Sequence, residues 1–241
     1  MMSSPLQVLR EGEVRTLVLN RPEKRNALSA DLVERLLDAV AQAQQDPVQL
    51  LVLRGEGRCF SAGFDFSDVE QQSEGDLLLR FTRIEMLLQA VAALPCLTLA
   101  LAQGKNFGAG VDLFAACRRR IAAADASFRM PGLKFGLVLG SRRFADIVGK
   151  AQATHILEEA RGFTAAEALA MGFAQQIAAP EAWPEAVTVA QASAAALDGW
   201  SRAALHDALA DNHADADLAR LVRSAARPGL KQRIARYLGD A

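Results

Sequence analysis

Two glycine-containing loops carry the residue types best suited to chemistry in this chain. The first, residues 58–66 (RCFSAGFDF), places Ser61, Ala62, Gly63, Phe64 and Asp65 in succession. The second, residues 104–112 (GKNFGAGVD), runs through Gly108, Ala109 and Gly110 to Asp112. Glycine permits tight turns that leave backbone N–H groups uncovered. The second loop also leads into a helical pattern, whose N-terminal dipole favours negative charge. Two such amides converging on one oxygen would stabilise an enolate or a tetrahedral intermediate. Small-residue turns ahead of helices are also common as plain structural punctuation, so each loop by itself leaves both readings open. Neither loop is GxGxxG or GxxxxGK[ST], which removes the dinucleotide and P-loop readings.

Both loops need strands behind them. Residues 14–20 (VRTLVLN), 48–53 (VQLLVL) and 96–102 (CLTLALA) read as strands, the last two too apolar to be half-exposed. Ser29 is placed to cap a helix in which Leu32, Val33, Leu36, Leu37 and Val40 recur at helical spacing. A second helical pattern runs over about 77–94 and is stopped by Pro95. Strand, helix, strand, helix, strand is the rhythm of a covered, largely parallel sheet. Its strand ends then carry the two loops, where open α/β sheets bind ligands. Residues 108–117 fit a buried helix, and 120–124 and 127–129 short strands. From Gly149 onward, helical patterns over 151–159, 165–171, 181–197, 201–210 and 216–225 dominate, and only 174–178 is strand-like.

The composition is that of an ordinary globular α/β chain: 241 residues, 51% apolar and 23% charged, with a formal net charge of −1. That balance supplies no bulk field for nucleic acid or an anionic membrane, so neither is expected as a partner. The three cysteines, Cys59, Cys96 and Cys117, are odd in number and sit in apolar stretches, as reduced core cysteines do. No Cys or His spacing suggests a metal. His206 and His213 lie in a polar helical stretch and are expected at the surface. Residues 1–11 do not read as a signal peptide, and the most apolar run, 91–102, is too short to span a bilayer. The expected location is the cytoplasm.

Taken together, the segments Leu19-Asn20-Arg21-Pro22-Glu23-Lys24-Arg25-Asn26-Ala27-Leu28-Ser29, Phe60-Ser61-Ala62-Gly63-Phe64-Asp65 and Gly108-Ala109-Gly110 resemble the crotonase family of enoyl-CoA hydratases and isomerases, in order and in separation. Residues 123–128 (AADASF), 147–151 (IVGKA) and 162–174 (GFTAAEALAMGFA) extend the resemblance over essentially the whole chain. It implies an α/β superhelix of ββα units over residues 1–180. A helical region over 181–241 would mediate trimers or dimers of trimers and cover CoA. It implies acyl-CoA thioesters as substrate, with CoA as part of the substrate and no separate cofactor. The oxyanion donors would be the amides of Phe64 and Ala109, where alanine replaces a glycine but keeps its N–H. Ala27 matches the segment around the CoA arm, Lys24 and Arg25 the phosphate contacts, and Ala62 and Asp65 the flanks of the first turn. Phe66 and Val69 would line or cover the acyl side. Arg220, Arg223, Arg227, Lys231, Arg233 and Arg236 make the C-terminal region basic, as a CoA-covering helix or as a solvated face.

The resemblance fails at the proton-transfer residues. Family hydratases use two glutamates. Asp112 stands at one of these positions and Gly132, without a side chain, at the other. A positioned carboxylate contributes about 10²–10⁴-fold, so a two-glutamate hydration mechanism is not expected. Asp112 remains either the one proton carrier or a buried acid bonded to loop amides. The segment 136–144 (GLVLGSRRF) departs as well. Arg142 and Arg143 there either point toward the site and hold an anionic acyl group or begin an ordinary surface helix, and Arg129 and Lys134 raise the same question. Three functions follow: a hydratase- or isomerase-type enzyme, a decarboxylase or thioester hydrolase on the same frame, and a non-catalytic acyl-CoA-binding or oligomer-partner protein.

Overall fold

The structure, a computed structural model, describes residues 4–209 and 213–239. It opens with a hairpin, β1 (Leu6–Glu11) and β2 (Val14–Leu19), then α1 (Ala30–Gln45), β3 (Leu50–Gly55), α2 (Glu74–Ala92) and β4 (Leu97–Ala102). The second half of the core holds β5 (Lys105–Phe107), α3 (Ala109–Ala116), β6 (Arg119–Ala122) and β7 (Ser127–Arg129). It continues through α4 (Ser141–Val148), α5 (Lys150–Glu159), β8 (Gly162–Thr164), α6 (Ala165–Ala170) and β9 (Gln176–Ile177). The helices α7 (Trp183–Ala195), α8 (Gly199–Leu209), α9 (Ala214–Ala225) and α10 (Leu230–Gly239) complete the chain.

The large sheet has the order β1-β2-β3-β4-β6-β9, antiparallel only at the β1–β2 hairpin. Alternation along β3 explains its unbroken apolar sequence. Leu51 and Leu53 enter the main core with α1 and α2, while Leu50 and Val52 face the other way against Trp183, Ala190 and Ala194 of α7. A sheet covered on both faces needs apolar residues at every position of its central strands. Ser29 caps α1 by accepting the Leu32 amide, and Ser73 with Asp76 forms a capping box on α2.

Periodicity does not reach several elements. Strand β1 is an edge strand with one buried residue in six, so its alternation is faint. The small sheet β5-β7-β8 consists of three-residue strands, of which β5 falls in a segment read as loop and β8 in the gap between two helical patterns. Helix α4 is the helix offered as one reading of Arg142 and Arg143, and α10 lies in the expected helical C-terminal region, although neither span carries a distinct helical period in the sequence. Of the helical pattern expected over 201–210, residues 201–209 are helical, and residue 210, like 240–241 of the C-terminal region, lies outside the described residues. All three cysteines are buried and free. His206 departs from its surface expectation: it is half-buried, and burial, then Arg118 and Arg202, push its pKa down to about 4.

Candidate active site

Residues 59–64 follow β3, and residues 103–109 follow β4 and thread through β5, so adjacent parallel strands deliver the two loops to the same end of the sheet. The loops touch backbone to backbone. The Phe107 amide donates to the Ser61 carbonyl at 3.2 Å, and the Leu28 amide to the Gly63 carbonyl at 2.7 Å. Gly63 has φ +80°, and a Cβ there would lie 2.3 Å from the Phe107 oxygen and 3.2 Å from the Ala109 nitrogen. No side chain fits at that position, and its absence brings the first turn against the start of α3.

Two fully buried asparagines fasten this junction. Asn106 Oδ1 accepts the amides of Phe60 and Ser61, each at 3.1 Å, while its NH2 reaches the Gly104 carbonyl at 3.0 Å. Asn26, in the left-handed region at φ 54°, donates to the carbonyls of Glu56 and Cys59 and accepts the Arg21 amide at 2.9 Å. The Ser61 hydroxyl donates to the Asn26 carbonyl at 2.8 Å. These bonds occupy several of the backbone donors around the turn. Among the described residues, neither the Phe64 nor the Ala109 N–H has a protein acceptor. Ala109 is the first residue of α3, where a helix has no internal partner for its N–H. Gly108 before it donates to the Arg129 carbonyl at 2.8 Å, which fixes the turn.

Phe64 and Ala109 border a cavity of about 240 Å³ together with Ala62, Asp112 and Gly132. Its remaining wall is mostly apolar, with Phe66, Phe81, Met130, Leu139, Tyr237 and Leu238. The Phe64 ring is stacked on Phe81 with centroids 4.2 Å apart, and the Arg80 guanidinium lies 4.1 Å over it. Tyr237 and Leu238 show that α10 of the same chain closes one side.

Asp112 is 2% exposed, and its Oδ1 has no hydrogen-bond partner among the described residues. The loop-bracing reading, in which it bonds loop amides, therefore does not hold for that oxygen. Burial drives its pKa well above the ordinary carboxylate range, Arg143 opposes this, and Glu85 adds to it. The neighbour that crowds it is Gly140, the residue ahead of α4, at φ +63°. A Cβ there would sit 1.8 Å from Oδ1. Glu85, on α2, is also buried, accepts a hydrogen bond from Gln89 at 2.9 Å and faces Arg143 at 3.8 Å. Burial raises its pKa, with Arg143 pulling in the opposite direction. Neither Glu85 nor Gly140 stands out in the sequence, because one looks like any charged residue of an amphipathic helix and the other like any turn glycine.

The other expected site residues divide clearly. Ala62 joins the cavity wall, and its amide donates to the Arg25 carbonyl at 2.8 Å. Asp65 is buried, pairs with Arg21 at 2.7 Å and accepts the Ser67 amide at 3.0 Å, so it braces the turn. Although burial alone would raise its pKa, the bonds from Ser67 and Arg21 hold it below the ordinary value. Ala27 is buried outside the cavity, with its carbonyl accepting from Arg21 at 2.6 Å. Lys24 and Arg25 are exposed on the adjoining loop, Lys24 Nζ reaching Ser67 Oγ at 3.4 Å. Phe66 lines the cavity as expected, whereas Val69 packs into the core.

Arg142 and Arg143 do begin a helix, and they do not line this cavity. Arg142 is bound by Asp217 at 2.7 Å and by Asp146, and both arginines border a separate hollow with Arg118 and His206. Arg129 and Lys134 border a third hollow. Of the two readings of this arginine pair, the helix-start reading is the one seen: the first turn of α4 turns these side chains toward α2 and α9 rather than into the cavity.

Comparison with known proteins bears on family and fold. A family model described as enoyl-CoA hydratase/isomerase matches residues 10–225. The crystal structure of a candidate enoyl-CoA hydratase/isomerase from Bordetella parapertussis is similar at TM-score 0.97 and 61% identity, covering 98% of this chain and 99% of that one. A protein of Mycobacterium leprae named as a probable enoyl-CoA hydratase is 36% identical over 186 residues, 73% of each chain. An enoyl-CoA hydratase from Bacillus halodurans shares the fold at TM-score 0.85 and 24% identity, covering 97% of this chain and all of that one.

Proposed function

The chain belongs to the enoyl-CoA hydratase/isomerase family, and from that premise we propose that it generates a thioester enolate, with the amides of Phe64 and Ala109 holding the carbonyl oxygen. The observation that carries this is the pair of unpartnered N–H groups on adjoining turns at one apolar cavity. Such donors stabilise charge that develops on the carbonyl oxygen, in a setting where water does not compete.

Asp112 is then the proton carrier. Its place on the cavity wall and its pKa, raised by burial, suit a group that takes a proton from carbon and returns it. No second carboxylate borders the cavity among the described residues, and Gly132 lies where a second one would be needed. One carboxylate serves isomerisation, in which one proton moves between two carbons of the acyl chain, better than addition of water. With Arg142 and Arg143 turned away, decarboxylation loses the groups that would orient a carboxylate. The CoA arm would run past Ala62 and Ala27, with Asp65 bracing the turn and exposed Lys24 and Arg25 near the phosphates. Helices α7 and α8 expose Val189 and Trp200, surfaces suited to a homotrimer or dimer of trimers.

Enolate formation is read without knowing the final product. A saturated acyl-CoA incubated in D2O is expected to gain deuterium at the α-carbon, and Asp112→Asn to lose the exchange by about 10²-fold or more. A thioester that binds without α-exchange, and without turnover of 2-enoyl or 3-enoyl esters, rules the proposal out and leaves the chain an acyl-CoA-binding protein.

A further inference from the structure

Among the buried residues of α2 only Glu85 is charged; the others are leucine, isoleucine, valine and phenylalanine. Its side chain is 2% exposed and lies 3.8 Å from Arg143 Nη2, in the first turn of α4. A buried ion pair of this kind stabilises a fold no better than apolar side chains of similar size. The separation is also too long for a hydrogen bond. Arg143 therefore supplies a field, while Glu85 Oε1, which accepts from Gln89 at 2.9 Å, keeps a lone pair for a proton.

This pair connects Asp112 with a second space. Helix α3, which carries Asp112, packs against both α2 and α4, and Gly140, just ahead of α4, crowds Asp112 Oδ1. Both Arg143 and Glu85 act on the Asp112 charge, and Asp217 of α9 and Arg142 act in turn on Glu85. Arg143 and Gln89 border a hollow of about 360 Å³, with Arg142, His206 and the exposed Asp207 and His213. Gln89 is held there by donating to the Ala214 carbonyl at 2.8 Å. The hollow shares no lining residue with the acyl cavity. On the cavity wall, Asp112 meets no other carboxylate, no histidine and no cation among the described residues. An acyl group seated in the cavity thus shuts Asp112 off from solvent on that side. Two buried carboxyls acting with one guanidinium cannot both ionise without an uncompensated charge, so this group keeps a proton that either carboxyl can hold.

We propose that Glu85 takes the proton from Asp112 and passes it to solvent at the second hollow while an acyl group fills the cavity. The inference rests on Asp112 being the proton carrier of the proposed function. The O–H bond of Asp112 breaks as one forms on Glu85, and the negative charge moves to Asp112. Glu85 then loses the proton to water beyond Gln89 and Arg143, and the reverse steps bring a solvent proton in. Glu85 is not on the cavity wall, so it acts through Asp112 alone. Arg143, always charged, holds the negative charge in place and carries no proton.

The test is isomerisation of a 3-enoyl-CoA in D2O, with deuterium in the 2-enoyl product counted by mass spectrometry per product molecule at early times. A proton taken from the α-carbon and returned to the γ-carbon is replaced by deuterium only if Asp112 exchanges with solvent between the two transfers. The wild-type product is expected to carry deuterium. Glu85→Gln is expected to lower the deuterium per product at least about five-fold, and Glu85→Asp to restore part of it. A variant that is merely slower or less stable leaves this ratio unchanged. Glu85→Met combined with Arg143→Met removes both charges and suits the apolar face of α2, so it gives the same low ratio should the single variant not fold. Turnover with equal deuterium per product in wild type and variants, or with none in the wild type, overturns this inference alone. No turnover and no α-exchange in the wild type overturns the proposed function and this inference with it.

Discussion

Asp112 carries the largest consequence at the scale of single residues. Burial, reinforced by Glu85 and only partly offset by Arg143, holds its carboxyl above the ordinary range. The native chain therefore keeps a proton that the unfolded chain releases near the ordinary carboxylate pKa, and stability falls as pH rises through the interval between the two values. Asp112→Asn removes that dependence. Its melting temperature at neutral pH is expected to equal or exceed the wild type's, with a flatter stability–pH curve, while α-proton exchange is lost. A variant both inactive and markedly less stable would make Asp112 structural. For the wild type, the exchange rate is expected to climb with pH through the raised pKa of Asp112, above the range of an exposed carboxylate. Gly140 guards the same carboxylate, and Gly140→Ala puts a methyl group on Oδ1 as well as a left-handed strain of about 1–2 kcal/mol on the backbone. Lower stability and slower exchange together are the expected result, read by thermal melting and by NMR. Asp112 was visible in the sequence as the acid after the second turn. Its isolation was not, because burial and the approach of Gly140 are set by the α3–α4 packing.

The elements explain why an amide at Ala109 is available at all. A helix has no use for the N–H of its first residue, and proline is accepted there because of it. Ala109→Pro therefore deletes the proposed donor at a position that tolerates the ring. About a 10²–10³-fold loss of kcat is expected with little change in melting temperature, and Ala109→Gly should stay active. Equal kcat values for the proline and glycine variants would remove Ala109 from the oxyanion role. The strands β2, β3 and β4 and the helices α1 to α3 were legible because apolar runs and 3.6-residue spacing mark them. Of the small sheet only β7 was legible, since three-residue strands such as β5 and β8 carry no period. The clamp formed by Asn26 and Asn106 was equally silent, because a buried asparagine is recognised by the carbonyls and amides it meets, and these arrive from segments 30 to 46 residues away.

At the scale of the whole molecule, the sheet is an anvil with α1 and α2 on one face and α7 on the other, and the loops at its strand ends form the site. The C-terminal helices then return so that Tyr237 and Leu238 of α10 close the cavity. The sequence pointed to a helical, basic C-terminal region but not to where it lands, since docking depends on contacts with Phe135 and the turn around Gly136. The central claim concerns one oxygen atom, and the most direct measurement is a crystal structure of this chain with a bound acyl-CoA. The account predicts the thioester oxygen within about 2.7–3.1 Å of both the Phe64 and Ala109 nitrogens, with the α-carbon facing Asp112. A fully occupied thioester whose carbonyl oxygen meets neither amide would contradict it.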